Sequence, residues 1–147
     1  MNELKKQFDK YPTKKPNQLI KVLFHGSGRG GADPKTIYES EDGLDIRFAR
    51  QGMYGTALYF ADNSHYSHSY AYMTGNGIYQ MFVCFILPGH AAHDPPNPTE
   101  LRIPPLIKAG SSDRFDSVLN RDRSHTIIYA NAKCYPAYLI SYTVNSN

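Results

Sequence analysis

An α+β fold with few short helices is the class this sequence predicts, on three observations. The strongest periodic signals are short β-type runs, the helical stretches between them are brief, and no regular strand-helix rhythm points to a doubly wound parallel sheet. At 147 residues the chain has the size of one domain, long enough to bury a core and too short for two ordinary ones. Apolar residues make up 41% and aromatics 13%, which excludes a disordered or fibrous chain. Trp is absent while Tyr occurs 12 times and Phe 7, so the aromatic weight rests on a side chain that both packs and hydrogen-bonds.

Taken in order, residues 1–17 hold Lys5, Lys6, Lys10, Lys14 and Lys15, much of the excess behind a net charge of +3 and a pI near 8.8. A solvated basic arm ahead of a domain of residues 18–147 accounts for them better than a nucleic-acid tail. Residues 18–24 read as a strand, stopped where His25-Gly26-Ser27-Gly28-Arg29-Gly30-Gly31 breaks regular structure. Residues 34–40 form a short helix with Pro34 in its first turn and Ile37 and Tyr38 toward a core. Residues 43–55 form a loop carrying Arg47 and Arg50, and residues 57–61 a compact buried strand. Asp62 or Asn63 caps a helix running to about Met73, on one face of which lie Ser67 and Tyr70, and Tyr66 and Tyr70. Residues 79–87 are the best strand, ended by Pro88-Gly89, and residues 90–116 are a Pro- and Gly-rich surface excursion of the length that often carries function. Strands over residues 126–130 and 138–144 close the chain.

Several functions are excluded. The glycines of residues 26–31 belong to no phosphate-loop lysine motif, and although Gly26, Gly28 and Gly31 stand in GxGxxG spacing they do not open a helix, so nucleotide folds of those kinds are set aside. The six histidines contain no HExxH, and Cys84 and Cys134 are not in CxxC spacing, so no metal is expected and the cysteines read as buried free thiols. No run approaches the roughly 18 apolar residues of a membrane span, and no lipidation signal is present. A monomeric protein without membrane contact, intracellular and cytoplasmic or nuclear, is the expectation.

Three blocks then carry a resemblance. They are Leu23-Phe24-His25-Gly26-Ser27; Gly52-Met53-Tyr54-Gly55 running through Leu58-Tyr59-Phe60-Ala61-Asp62 to Tyr66-Ser67 and Tyr70; and Asp116-Ser117-Val118 with Ile127-Ile128-Tyr129 and Tyr135-Pro136-Ala137-Tyr138-Leu139-Ile140. In this order they resemble the catalytic domain of the poly(ADP-ribose) polymerase family, the diphtheria-toxin-like ADP-ribosyltransferases, over about residues 18–144. The resemblance implies two packed, mainly antiparallel β-sheets with few short helices, and NAD as co-substrate.

It also implies roles. The Gly26 backbone N–H and C=O and the Ser67 hydroxyl would hold the nicotinamide carboxamide, Tyr70 would stack on the ring and Tyr59 would close its other side. Tyr54 would line the same pocket, His25 and Ser27 would bind the adenine-ribose hydroxyls, and Arg47 or Arg50 would meet the pyrophosphate. Polymerising members are similar in a His-Tyr-Glu triad; counted back from Ile127-Ile128-Tyr129, the third position here is His125. Asp122 lies three residues earlier, which on a strand reverses its side-chain direction. The expected set is therefore His25, Tyr59 and His125, and a neutral imidazole cannot supply the fixed negative charge that favours an oxocarbenium ion. Those features resemble mono-ADP-ribosyltransferases acting on a protein or nucleic-acid acceptor, with an inactive NAD- or ADP-ribose-binding module or an NAD glycohydrolase as alternatives.

Overall fold

Which residues alternate in and out of the interior decides how the sheet is assembled. The structure, a computed structural model, describes residues 3–11, 13, 16–28 and 32–145. Lys14 and Lys15 of the arm, and Arg29, Gly30 and Gly31 of the glycine-rich segment, lie outside the described residues. Two helices, α1 (Glu3–Lys10) and α2 (Pro16–Leu19), precede β1 (Lys21–His25). Then come α3 (Pro34–Glu39), a ribbon of β2 (Gln51–Gly52) and β3 (Gly55–Thr56), β4 (Leu58–Ala61) and α4 (Ser64–His68). The rest is sheet: β5 (Tyr72–Gly75), β6 (Ile78–Ile86), β7 (Ala91–His93), β8 (Ser117–Leu119), β9 (His125–Ile128) and β10 (Cys134–Tyr142).

The main sheet runs β10-β6-β1-β4-β9-β8-β7, antiparallel except for the parallel pair β7 and β8. The two sheets expected are thus halves of one hydrogen-bonded order, joined at β1 and β4 through a single residue pair, Phe24↔Ala61. β10 occupies one edge of β6 from Tyr79 to Ile86, so β1, opposite residues 82–86, and β5, opposite residues 78–80, share the other edge end to end.

Packing follows from alternation. Along β6, Phe82, Cys84 and Ile86 are buried while Phe85 faces out; the first three join Leu23, Leu44, Leu58, Phe60 and Ile128 in one core. On the other side of the β4–β9 pair, Ile127 packs with Tyr54, Ala57, Ala92, Val118 and Tyr129, with Tyr59 against them.

Two expectations are corrected. The first strand begins at Lys21, because residues 16–19 make a helical turn. The helix capped by Asn63, whose side chain accepts from the His65 N–H, ends at His68 and does not reach Met73. Residues 72–75 are drawn into β5, which turns into β6 through Gly75, Asn76 and Gly77, all at positive φ. Two glycines flanking an asparagine meet that requirement without steric cost.

In the segment set apart as an arm, Glu3–Lys10 is helical, Gln7 is buried, and Lys10 Nζ lies 2.8 Å from Asp116. Asp116 also holds Lys133 at 3.2 Å and accepts the His90 N–H at 2.7 Å. Burial alone raises its carboxyl, but Lys10, the His90 amide and Lys133 outweigh that and leave the pKa below the usual aspartate value. Because the folded-state value is depressed, its stabilisation is present above the unfolded aspartate range, near about 4, and drains away as the pH falls through the lower folded value. Asp116→Asn is therefore expected to melt below the wild type at neutral pH, with the gap closing in acid. A gap unchanged between neutrality and about pH 2 would remove Asp116 from this role.

Candidate functional site

Where the two halves of the sheet meet, a cleft of about 1020 Å3 opens, at the upper end of the ~300–1,000 Å3 common for small-molecule sites. The register of β4 against β9, Tyr59↔Ile127 and Ala61↔His125, puts Tyr59 and His125 on the same face. His25, Gly26, Ser27, Arg47, Tyr54, Tyr59, Ser67, Tyr70 and His125 all line the cleft.

His25 ends β1 and crosses the seam: its Nδ1–H donates to the Tyr59 carbonyl at 2.8 Å, which leaves Nε2 with the lone pair. Burial pushes its pKa down, so the ring is neutral. The backbone then passes so close to residues 70–71 that a Cβ at Gly26 would overlap the Tyr70 carbonyl. That carbonyl accepts the Gly28 N–H at 2.6 Å. Only glycine admits this approach. Ser27 Oγ is buried and has no hydrogen-bond partner among the described residues.

Tyr59 is half-buried, and its hydroxyl holds the ribbon. It accepts the Tyr54 N–H at 3.0 Å and donates to the Gly55 carbonyl at 2.6 Å, while Gly52 lies against the ring with no room for a Cβ. With its proton spent there, Tyr59 offers the cleft a ring rather than a donor. Tyr54 is buried and similarly engaged, donating to Asp94 at 2.8 Å and accepting the Arg121 N–H at 2.9 Å. Ser67 is buried in α4, and Tyr70, two residues beyond its end, is 62% exposed. An aromatic face left this open is free to take a flat ligand.

The two arginines differ. Arg47 is bound through Nε and Nη2 to Asp45, at 2.9 and 2.5 Å, and reaches Asp42 at 3.2 Å. Its guanidinium holds the Asp45 carboxyl well below the usual range. Arg50 lines the same cleft and has no ion pair among the described residues.

His125 is half-buried, and burial lowers its pKa against the opposing pull of Asp122 and Asp62. Reasoning from sequence missed what surrounds it. Asn120 lines the cleft, and its side-chain oxygen accepts the His125 N–H at 2.9 Å. Ser124 Oγ is 2.8 Å from His125 Nδ1 and donates to Asp122 at 2.5 Å. Residues 120–124 are a turn with Arg123 at φ 63° and not a strand, so the argument from strand alternation that set Asp122 aside does not apply. The run Asn-Arg-Asp-Arg-Ser is a turn signal legible in the sequence.

Comparison with known proteins follows the same lines. Over 145 residues the chain is 36% identical to a probable poly [ADP-ribose] polymerase of Dictyostelium discoideum, covering 95% of this chain and 40% of the relative. Over 126 residues it is 33% identical to the human protein mono-ADP-ribosyltransferase PARP12, covering 84% of this chain and 17% of the relative. The chain thus spans less than half the length of either. No protein-family model matches it.

Tyr59→Phe isolates the hydroxyl from the ring. It leaves the Tyr54 N–H and the Gly55 carbonyl without their partner and is expected to cost about 1–3 kcal/mol in denaturant unfolding. An unchanged unfolding midpoint would show that the ribbon does not depend on it.

Proposed function

Because this chain belongs to the poly(ADP-ribose) polymerase family, we propose that it takes NAD into the cleft, releases nicotinamide and transfers a single ADP-ribose unit to an acceptor nucleophile. The observation that carries this is the gathering of His25, Gly26, Ser27, Ser67, Tyr70 and His125 around one cleft. The Gly26 backbone and the Ser67 hydroxyl hold the carboxamide, and Tyr70 and Tyr59 enclose the nicotinamide ring. His25 Nε2 and Ser27 Oγ take ribose hydroxyls. The burial of Ser27 Oγ without a partner among the described residues supports this, since such a group costs about 1–3 kcal/mol until something hydrogen-bonds to it. Arg50 is the cation we assign to the pyrophosphate, since Arg47 is committed to Asp45 and Asp42.

The bond between nicotinamide and ribose breaks through an oxocarbenium-like transition state, and the acceptor's lone pair closes on the sugar carbon as its proton leaves. Orientation of the ring and stabilisation of developing positive charge are what the site must provide. In the His-Tyr-Glu triad of the polymerising members that the chain resembles, the place of His125 belongs to Glu, and a neutral imidazole does not replace that charge. Chain growth is therefore not part of this reading. The acceptor is a protein or a nucleic acid, met by the surface of residues 90–116. An intracellular setting, cytoplasmic or nuclear, is part of the same reading. The same missing charge supports a second reading, a module that binds NAD or ADP-ribose without turnover.

Incubation with adenylate-labelled NAD separates the readings. A mono-transferase labels acceptor or itself with one unit per site and releases nicotinamide. Nicotinamide without label indicates a glycohydrolase, and bound NAD with neither product indicates the inactive module. Tyr70→Ala is expected to weaken NAD binding about tenfold and Gly26→Trp to abolish it. If both folded variants bound NAD as the wild type does, the cleft would not be the site.

A further inference from the structure

The turn of residues 120–125 holds a hydrogen-bond chain whose proton positions can be worked out. Ser124 Oγ has one proton, and the 2.5 Å contact to the acceptor-only carboxylate of Asp122 takes it. Its lone pairs then face two donors, the Asn120 Nδ2 amide at 3.1 Å and His125 Nδ1 at 2.8 Å. The Asn120 amide oxygen is already used by the His125 N–H, which fixes which end of Asn120 faces the ring. The direct Asn120 Nδ2 to His125 Nδ1 distance, 3.3 Å, is the longest of the set. Donors and acceptors balance only when Nδ1 carries the proton.

We propose that Asp122, acting through Ser124, holds His125 as the Nδ1–H tautomer so that Nε2 turns a lone pair into the cleft, toward the nicotinamide-ribose hydroxyl. The proposal rests on the reading of the cleft as an NAD site. Asp122 and Ser124 are positioning residues. The negative charge that position 125 lacks in its own side chain is supplied two bonds away through hydrogen bonds, and it strengthens the acceptor power of Nε2. The groups facing the ring are Asp122 from the turn, Asp62 beyond β4 and Tyr66 of α4, whose ring centroid is 5.6 Å away. Asp62 has no direct hydrogen bond to the imidazole among the described residues. It lends charge without fixing a tautomer.

Two measurements on the whole chain test this. Imidazole 15N chemical shifts, with His125 assigned through His125→Gln, report tautomer and titration without any need for activity. The expected result is the Nδ1–H form in the wild type, the Nε2–H form that free imidazole favours in Ser124→Ala, recovery in Ser124→Thr, and titration at lower pH in Asp122→Asn. A wild-type ring in the Nε2–H form, or a ring indifferent to Asp122→Asn and Ser124→Ala, overturns the proposal. Single-turnover nicotinamide release then reads the consequence. Asp122→Asn and Ser124→Ala are expected to slow it about tenfold with NAD affinity within about twofold, and the acid limb of the Asp122→Asn profile to move to lower pH. Unchanged release in both variants, or an unmoved acid limb in Asp122→Asn, overturns the catalytic part. Failure of the wild type to bind NAD is a separate result, which sinks the reading of the cleft while the 15N shifts still decide the hydrogen-bond chain.

Discussion

The cleft exists because two half-sheets meet at a seam held by very little. β1 and β4 share one residue pair, and the His25 imidazole adds a bond to the Tyr59 carbonyl across the join. On one side of that seam stand the His25-Gly26-Ser27 corner and the segment that ends β5's approach; on the other stand Tyr59 and His125. A fully laddered β1–β4 pair would bring the walls together and leave a flat sheet. The burial that lowers the His25 pKa matters here as well, since the seam is crossed by a neutral donor and no charge has to be desolvated there.

Much of the remaining architecture keeps those walls at fixed separations. Because β1 and β5 share one edge of β6, the chain leaving β1 runs into the chain entering β5, and the absence of a side chain at Gly26 lets them touch. The Tyr59 hydroxyl does the corresponding work on the far wall, where it fastens the Tyr54–Gly55 turn. Neither device needs a large apolar surface. Both depend on a backbone group coming within hydrogen-bond distance of a single atom, which core packing alone does not specify.

This difference explains what was legible in the sequence. The β runs, the α+β class and the gathering of Gly26, Tyr59, Ser67 and Tyr70 followed from local patterning and from the order and spacing of three family-like blocks. The end of α4 did not follow, because helical spacing in Tyr66, Ser67 and Tyr70 competes with a Gly-Asn-Gly turn whose effect shows only when β6 is present to pair with. Helix α1 was masked by its lysines, and its tie to Asp116 spans 106 positions in the chain. The family resemblance offers Arg47 or Arg50 for the pyrophosphate, and it does not show that two neighbouring aspartates claim Arg47. Around His125 the error lay in extending a strand one turn too far, which concealed Asp122 and Ser124 behind a rule of alternation that did not hold.

The ribbon of β2 and β3 has a further partner in the long excursion. Gln51 Nε2 donates to the Thr99 carbonyl, Arg102 donates to Gln51 Oε1, and the Thr56 N–H donates to the Leu101 carbonyl. The excursion is therefore mechanically connected to Tyr59 through the ribbon, although residues 98–102 do not line the cleft. Residues 98–102 thus brace the wall that Tyr59 belongs to without being part of it.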